Sequence, residues 1–248
     1  MGIKDRVAIV TGSGQGIGEG IARYLASAGA SVVLNDIDEQ RVAALSDEMK
    51  ASGLDTGYFV GDISTKDGAT GLVDYARDSY GRLDILVNNA GIARDKWLVK
   101  MTEEDWDEVM RINLKSQFLC TQAAVKPMMD ANFGRIVNIG SRAWLGGAGQ
   151  ANYAASKGGV VSFTRTLALE FAKYQITANA VAPGLVDSPL FRSLSQENQD
   201  RLTKTVPVGR IGGPDDIGHA VAFFADDDSW YITGQVLYVC GGRSVGAY

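Results

Sequence analysis

Short apolar runs rich in Val and Ile recur along this chain, each followed by a longer segment in which apolar residues return every three or four positions. The runs Val7–Val10, Ser31–Leu34, Thr56–Val60, Ile85–Asn88, Ile136–Ile139, Thr177–Val181 and Gln235–Val239 predict strands. The segments Gly18–Ala28, Asp38–Ala51, Lys66–Tyr80, Glu103–Ala131, Tyr153–Lys173 and Asp215–Ala225 predict helices. Near-continuously apolar strands separated by helices imply a parallel sheet covered on both faces. The expected fold class is therefore α/β: a single doubly wound, Rossmann-type parallel sheet of about seven strands, with residues 1–248 forming one domain. No linker, repeat or low-complexity tract interrupts the pattern. The least regular stretch is Gly184–Pro207, with few strand or helix-core signals. Residues 185–207 read either as a lid over a substrate site or as a plain surface excursion.

Composition narrows the partners more than the fold. Of 248 residues, 46% are hydrophobic and 21% charged, enough to bury a sizeable core, and 30 Gly against 5 Pro suits many tight strand-to-helix turns. A net charge of −5 argues against nucleic acid or an anionic membrane as the main partner. No apolar run approaches the ~18 residues of a membrane span, and the first residues, through Val7, lack the apolar core of a secretion signal. The expectation is a soluble, cytoplasmic protein. Cys120 and Cys240 are far apart and read as buried thiols, with no disulfide or metal site expected. His219, the single His, lies in a predicted helix away from every motif and reads as structural.

Two places carry candidate chemistry. The first strand runs into Thr11-Gly12-Ser13-Gly14-Gln15-Gly16-Ile17-Gly18, where glycines permit a tight turn and let a pyrophosphate approach the backbone at a helix N-terminus. Asp36 closes the second strand, eighteen residues after Gly18. A carboxylate there accepts hydrogen bonds from adenosine ribose hydroxyls and repels a 2′-phosphate, so NAD is favoured over NADP. Asp38 is the better placed residue to cap the following helix. The second place is Tyr153-x-x-x-Lys157. Residues four apart on a helix share a face, with Cβ atoms roughly 5–6 Å apart. A fixed cation beside a phenol favours phenolate, and lowering its reference pKa of about 10 by ~3 units needs roughly 4 kcal/mol.

With these motifs in order, the chain resembles the short-chain dehydrogenase/reductase family in its compact one-domain form, over essentially its whole length. Thr11–Gly18 matches the family's T-G-x-x-x-G-x-G, Asp62-Ile63 its acidic-aliphatic pair, and Asn88-Asn89-Ala90-Gly91 its N-N-A-G. Asn113, Ser141, Tyr153 and Lys157 match its catalytic tetrad, and Pro183-Gly184 its P-G. The resemblance implies an NAD(P)-dependent oxidoreductase. Its implied cofactor contacts are Gly12, Ser13, Gln15, Gly16, Ile17 and Gly18, then Asp36, Ile37, Asp62 and Ile63, then Asn89, Ala90 and Gly91, and finally Tyr153, Lys157, Pro183, Gly184 and Val186. Tyr153 is the implied proton-transfer residue, with Lys157 lowering its pKa and holding the nicotinamide ribose. Ser141 would hydrogen-bond the substrate oxygen. Asn113, a poor helix former mid-helix, would bind water that passes the proton onward.

The positions that shape the family's pocket fall here on Ser141 and Tyr153, on Arg142, Ala143, Trp144 and Leu145 after the Ser, on Ile92, Ala93 and Arg94 after the Asn-Ala-Gly, and on Leu185, Val186, Leu190 and Phe191. Of these, Trp144, Leu145, Leu185, Leu190 and Phe191 make an apolar and partly aromatic wall. The expected substrate is a small-molecule secondary alcohol, carrying an aromatic or alicyclic ring, and its ketone. The chain also resembles the 3-oxoacyl-carrier-protein reductases of the family. Those favour NADPH and dock an acidic carrier on a basic patch, whereas Asp130–Phe133 and Lys173–Gln175 here hold one cation between them. A non-catalytic NAD-binding redox sensor is the reading from another class, disfavoured because both Tyr153 and Lys157 are retained. Family relatives are commonly homotetramers, and the same is expected here. The stripe Val160, Phe163, Leu167, Phe171 suits either an interface or the core.

Overall fold

The computed structural model describes residues 2–245, with Leu190 described by its backbone alone. Seven strands form where the apolar runs predict them: β1 (Val7–Thr11), β2 (Ser31–Asp36), β3 (Thr56–Val60), β4 (Ile85–Asn88), β5 (Gly134–Ile139), β6 (Ile176–Pro183) and β7 (Val236–Val239). They make one sheet in the order β3-β2-β1-β4-β5-β6-β7, and every neighbouring pair is parallel. The chain winds outward from β1 in both directions. Between β1 and β4 the winding reverses, and it is beyond the carboxyl ends of strands at such a point that α/β sheets open a crevice.

The helices are α1 (Gly16–Ser27), α2 (Glu39–Ala51), α3 (Lys66–Tyr80), α4 (Glu103–Met110), α5 (Ser116–Asp130), α6 (Ala151–Phe171), α7 (Pro189–Arg192), α8 (Gln196–Thr203) and α9 (Pro214–Ala225). Because strand side chains alternate, each central strand feeds two cores. Ala8 and Val10 pack with Ile21 and Leu25 of α1, Met49 of α2 and Val221 of α9 on one face. Ile9 points the other way, into a cluster with Leu72 of α3, Met128 of α5 and Leu167 of α6. Phe163 and Phe171 pack against that second cluster and Val160 is fully buried, so the apolar stripe of α6 belongs to the core. Helices α1 and α9 approach so closely that a Cβ on Gly20 would stand 2.2 Å from Pro214 Cβ.

Two segments differ from their predicted form. The helix expected over Glu103–Ala131 is interrupted by a π turn at Arg111–Lys115, where Ser116 N–H donates to Arg111 O. Irregular helical turns of this kind gather at functional sites, and here the turn carries the fully buried Asn113. The second segment follows β6: it holds α7, capped by Ser188 with Pro189 at its first turn, and α8, capped by Ser195. Helix α8 buries none of its residues, so it lacks the apolar period by which a helix is read from sequence. Among the described residues, no helix is long and apolar enough to cross a membrane.

Candidate active site

The glycine turn after β1 is shaped by close approach. Gly12 (φ +61°) and Gly16 (φ +62°) both lie in the left-handed region that favours glycine. A Cβ on Gly12 would lie 2.8 Å from Ala90 Cα, and one on Gly18 would lie 2.3 Å from Gly12 O. Asn89 locks this junction of β1 and β4. Its Nδ2 donates to Thr11 O (2.8 Å) and Gly12 O (3.0 Å), while Thr11 Oγ1 accepts from the Asn89 and Ala90 amides (2.9 and 3.1 Å). Gln15, the N-cap of α1, gives no side-chain cap. The first amides of α1 therefore face the crevice as an anion-binding end.

A cavity of about 650 Å³ runs from this turn across the switch point. Asp36 stands at one end. Its Oδ2 accepts from Gly14 N–H (3.0 Å) and its Oδ1 from Asp38 N–H (3.1 Å), so backbone donors fix the carboxylate in place. Asp38 caps α2 as expected, accepting from Arg41 N–H at 3.1 Å. Further along, Asp62 accepts from Ser64 N–H (2.9 Å) and Ser64 Oγ (2.6 Å), and pairs with Arg111 at 3.2 Å. The Ser64 hydroxyl above all, then the Ser64 amide and Arg111, hold this carboxyl below its usual range against the opposing effect of burial.

Most of the predicted cofactor residues meet here. Gly12, Gln15, Gly16, Ile17 and Gly18 line the cavity with Asp36 and Ile37; so do Asp62, Ile63, Asn89, Ala90 and Gly91, and Tyr153, Lys157, Pro183 and Gly184. Ser13 and Val186 do not. Ser13 turns to β2, accepting from Asn35 N–H at 3.0 Å, and Val186 is buried in a bridge to Gly212. Sequence reasoning missed Arg41 and Arg111, both of which line the cavity. Neither belongs to a motif, and only the folding of α2 and the π turn brings them there.

Ser141, Tyr153 and Lys157 gather at the end of the cavity opposite Asp36. Ser141 ends the loop after β5, and its Oγ accepts from Ala143 N–H at 3.1 Å, leaving its own proton to donate. Lys157 is 3% exposed, and its Nζ donates to Ile139 O at 2.8 Å. The ammonium stands 5.7 Å from the centroid of the Tyr153 ring, as the four-residue spacing requires. The expected lowering of the phenol pKa is absent, however. Burial pushes Tyr153 up, the Ser141 hydroxyl beside it pulls down by less, and Asp95 adds to the rise. Burial in turn pulls Lys157 down to about 8. Desolvation outweighs the attraction between the two because the lysine spends a hydrogen bond on a backbone carbonyl instead of the phenol.

Asn113 is placed with the others but bound differently from expectation. Its Oδ1 accepts from Ile92 N–H (2.8 Å), while its Nδ2 donates to Ile92 O (2.9 Å) and Ser156 Oγ (3.2 Å). Both amide protons are thus committed to protein. Ser156 Oγ donates to Tyr153 O at 2.8 Å, so Asn113 ties the π turn to the catalytic turn of α6. The substrate wall departs furthest from prediction. Ala143 is buried, Trp144 stacks on Tyr238 (6.5 Å between centroids, 19° between planes) and Phe191 is 8% exposed. Leu185 O accepts from Gly212 N–H, and none of these four lines the cavity. The side chain of Leu190 lies outside the described residues. Of the expected wall, Ile92 and Ala93 do line the cavity, and Ser188 and Pro189 join them.

The donors fit a dinucleotide: amides at a glycine-shaped helix start, a fixed carboxylate on one side, and a buried ammonium on the other. A family model described as Enoyl-(Acyl carrier protein) reductase matches residues 12–244. The chain is 51% identical to (2S)-[(R)-hydroxy(phenyl)methyl]succinyl-CoA dehydrogenase subunit BbsD of Thauera aromatica, over 99% of both chains. It is 41% identical to 3-oxoacyl-[acyl-carrier-protein] reductase FabG of Escherichia coli, over 98% of both. The crystal structure of gox2181 superposes with a TM-score of 0.93 at 35% identity, covering 98% of this chain and 96% of that one.

Proposed function

This chain belongs to the short-chain dehydrogenase/reductase family of oxidoreductases, which bind a nicotinamide dinucleotide, and we propose that it interconverts a ring-bearing secondary alcohol and its ketone with NAD. The observation that carries this reading is the convergence of Ser141, Tyr153 and Lys157 at one end of a cavity whose other end is Asp36. The dinucleotide, when bound, supplies the hydride acceptor. Tyr153 would act as the phenolate, its own proton first released to solvent against the burial that raises its pKa. Its Oη would then take the proton of the substrate hydroxyl as the hydride leaves the carbinol carbon for the dinucleotide, so that alcohol and oxidised dinucleotide give ketone, reduced dinucleotide and one proton. Ser141 donates to the substrate oxygen, its own oxygen already engaged by Ala143 N–H. Lys157 anchors the ribose side with the protons that Ile139 O does not use.

Asp36 supports NAD over NADP. A carboxylate held by two backbone amides cannot swing away from a 2′-phosphate, and like charges brought together cost several kcal/mol. The relative from Thauera aromatica, named for a hydroxy(phenyl)methyl substrate, supports an aryl carbinol. The relatives named 3-oxoacyl-[acyl-carrier-protein] reductase favour a second reading, reduction of a 3-oxoacyl thioester.

Tyr153→Phe tests the catalytic assignment. The expected result is a fall in kcat of about 10²–10⁴, with NADH binding by fluorescence unchanged. A variant as active as the parent would remove Tyr153 from the chemistry. A parent that binds NADH but turns over no carbonyl or alcohol would support the sensor reading.

A further inference from the structure

The π turn Arg111–Lys115 sends two side chains to different places. Residues two apart do not share a helix face. Asn113 turns inward, to Ile92 and to Ser156 in the catalytic turn of α6. Arg111 reaches instead the loop after β3, and lines the cavity together with Asp62, Ile63 and Ser64. Its Nη1 donates to Asp62 Oδ2 at 3.2 Å and to Ser64 Oγ.

That loop is already fixed as far as its carboxylate. Asp62 O accepts from Thr65 N–H (3.2 Å) and Thr65 Oγ1 (2.8 Å), where Thr65 caps α3. Asp62 Oδ1 accepts from both the amide and the hydroxyl of the buried Ser64, so both lone pairs of that oxygen are in use. Oδ2 accepts from Arg111, which among the described residues leaves it one lone pair. An ion pair with both partners about half exposed adds little to folding stability. Its effect lies in direction instead. Arg111 sets the plane of the carboxylate, and with it where the remaining lone pair points. It also compensates a negative charge that would otherwise stand bare in a cavity suited to a pyrophosphate.

We propose that Arg111 is a positioning residue for the dinucleotide: it aims Asp62 Oδ2 at the exocyclic amino group of the base, and so makes the site select a 6-aminopurine over a 6-oxopurine. An amino group donates to this oxygen, whereas an oxo group sets a second acceptor against it and leaves both unpaired. Without Arg111 the carboxylate keeps its bonds to Ser64 but loses the donor that fixes Oδ2, and the discrimination goes with it. This inference rests on the dinucleotide binding of the reading above and adds the residue that orients recognition of its base.

The test uses the full chain and two probes: NADH, and the reduced nicotinamide hypoxanthine dinucleotide, which carries a 6-oxo group in place of the 6-amino group. Binding of each is followed by nicotinamide fluorescence in the parent, Arg111→Met, Arg111→Lys and Asp62→Asn. A charge-assisted hydrogen bond is worth about 10- to 100-fold, and the parent should prefer NADH by that factor. Arg111→Met should narrow the preference to below about threefold. Arg111→Lys, which keeps the charge without the planar fork, should fall between the two, and it keeps the test sound if Arg111→Met disturbs the turn. A turn that is merely loosened would weaken both probes alike and leave their ratio unchanged, which overturns the proposal. So does a parent that binds both equally. In the Asp62→Asn background, adding Arg111→Met should change NADH affinity by less than about twofold, since no carboxylate is left to aim; a fully additive loss overturns the proposal as well. The ratio involves no turnover. A parent with the expected preference that oxidises no alcohol would sink the dehydrogenase reading alone, whereas equal binding would sink the role of Arg111 whatever the enzyme oxidises. A parent that binds neither probe sinks both.

Discussion

Replacing Lys157 by Met removes a charge that the fold holds 3% exposed beside the Tyr153 ring, and the effect on stability should depend on pH. Burial pulls the ammonium from its ordinary 10.5 down to about 8. A gap of this size opposes folding of the protonated chain by about 3 kcal/mol. Below pH 8 folded and unfolded chains both hold the proton, and the whole penalty applies. From pH 8 towards 10.5 the folded chain releases its proton while the unfolded chain keeps its own, so stability climbs, and above 10.5 the penalty is gone. The variant never carries the penalty, but it leaves Ile139 O without its 2.8 Å donor, which costs about 1–3 kcal/mol. At pH 7 the two effects nearly offset, and the parent and Lys157→Met should unfold within about 1–2 kcal/mol of each other. By pH 10 the parent should gain about 2–3 kcal/mol over the variant. Urea unfolding followed by far-ultraviolet circular dichroism, without dinucleotide and at fixed protein concentration from pH 7 to 10, reads this difference. A flat difference over that range would refute the reasoning, because it would mean that folded Lys157 titrates like a solvated lysine.

Gly18→Ala should open the turn, since the new Cβ would meet Gly12 O at 2.3 Å and Asn89 Nδ2 at 2.5 Å. Overpacking of about 1–3 kcal/mol should lower Tm by roughly 3–10 °C and abolish NADH binding by fluorescence; unchanged binding would show that the cradle does not hold the dinucleotide. Gly158→Ala is the opposite case. A Cβ there meets nothing within 4 Å in the middle of α6, so a gain of about 0.5–1 kcal/mol is expected in thermal unfolding, and a loss would contradict the open space. Asp36→Asn keeps the shape of the side chain but removes its charge. The kcat/KM ratio of NADP⁺ to NAD⁺ should then rise at least about tenfold, and an unmoved ratio would mean that Asp36 does not select the cofactor.

The strands and the ends of the cavity were legible because both are local patterns. Val7–Val10 and Ile136–Ile139 are apolar on both faces, and the glycine turn and Tyr153–Lys157 carry their spacing with them. Less legible was whatever depends on partners distant in the chain. Asn113 is a poor helix former by its type alone, yet its bonds to Ile92 and Ser156 come from two other segments. Arg111 reaches the cavity only through a π turn that no residue pattern announced. The apolar side chains after Ser141 looked like a substrate wall, but β7 offers Trp144 a stacking partner in Tyr238. His219, a lone His away from every motif, has a structural partner: its Nδ1 lies 2.9 Å from Tyr24 Oη, where α9 crosses α1.

The most direct measurement is an initial-rate comparison of 1-phenylethanol, 3-hydroxy-3-phenylpropanoate and cyclic secondary alcohols, each with NAD⁺ and NADP⁺, alongside reduction of 3-oxoacyl thioesters. The expected result is oxidation of an aryl carbinol with NAD⁺, at a kcat/KM at least about tenfold above that with NADP⁺. Reduction of 3-oxoacyl thioesters with NADPH, with every aryl and cyclic alcohol inert, would contradict it.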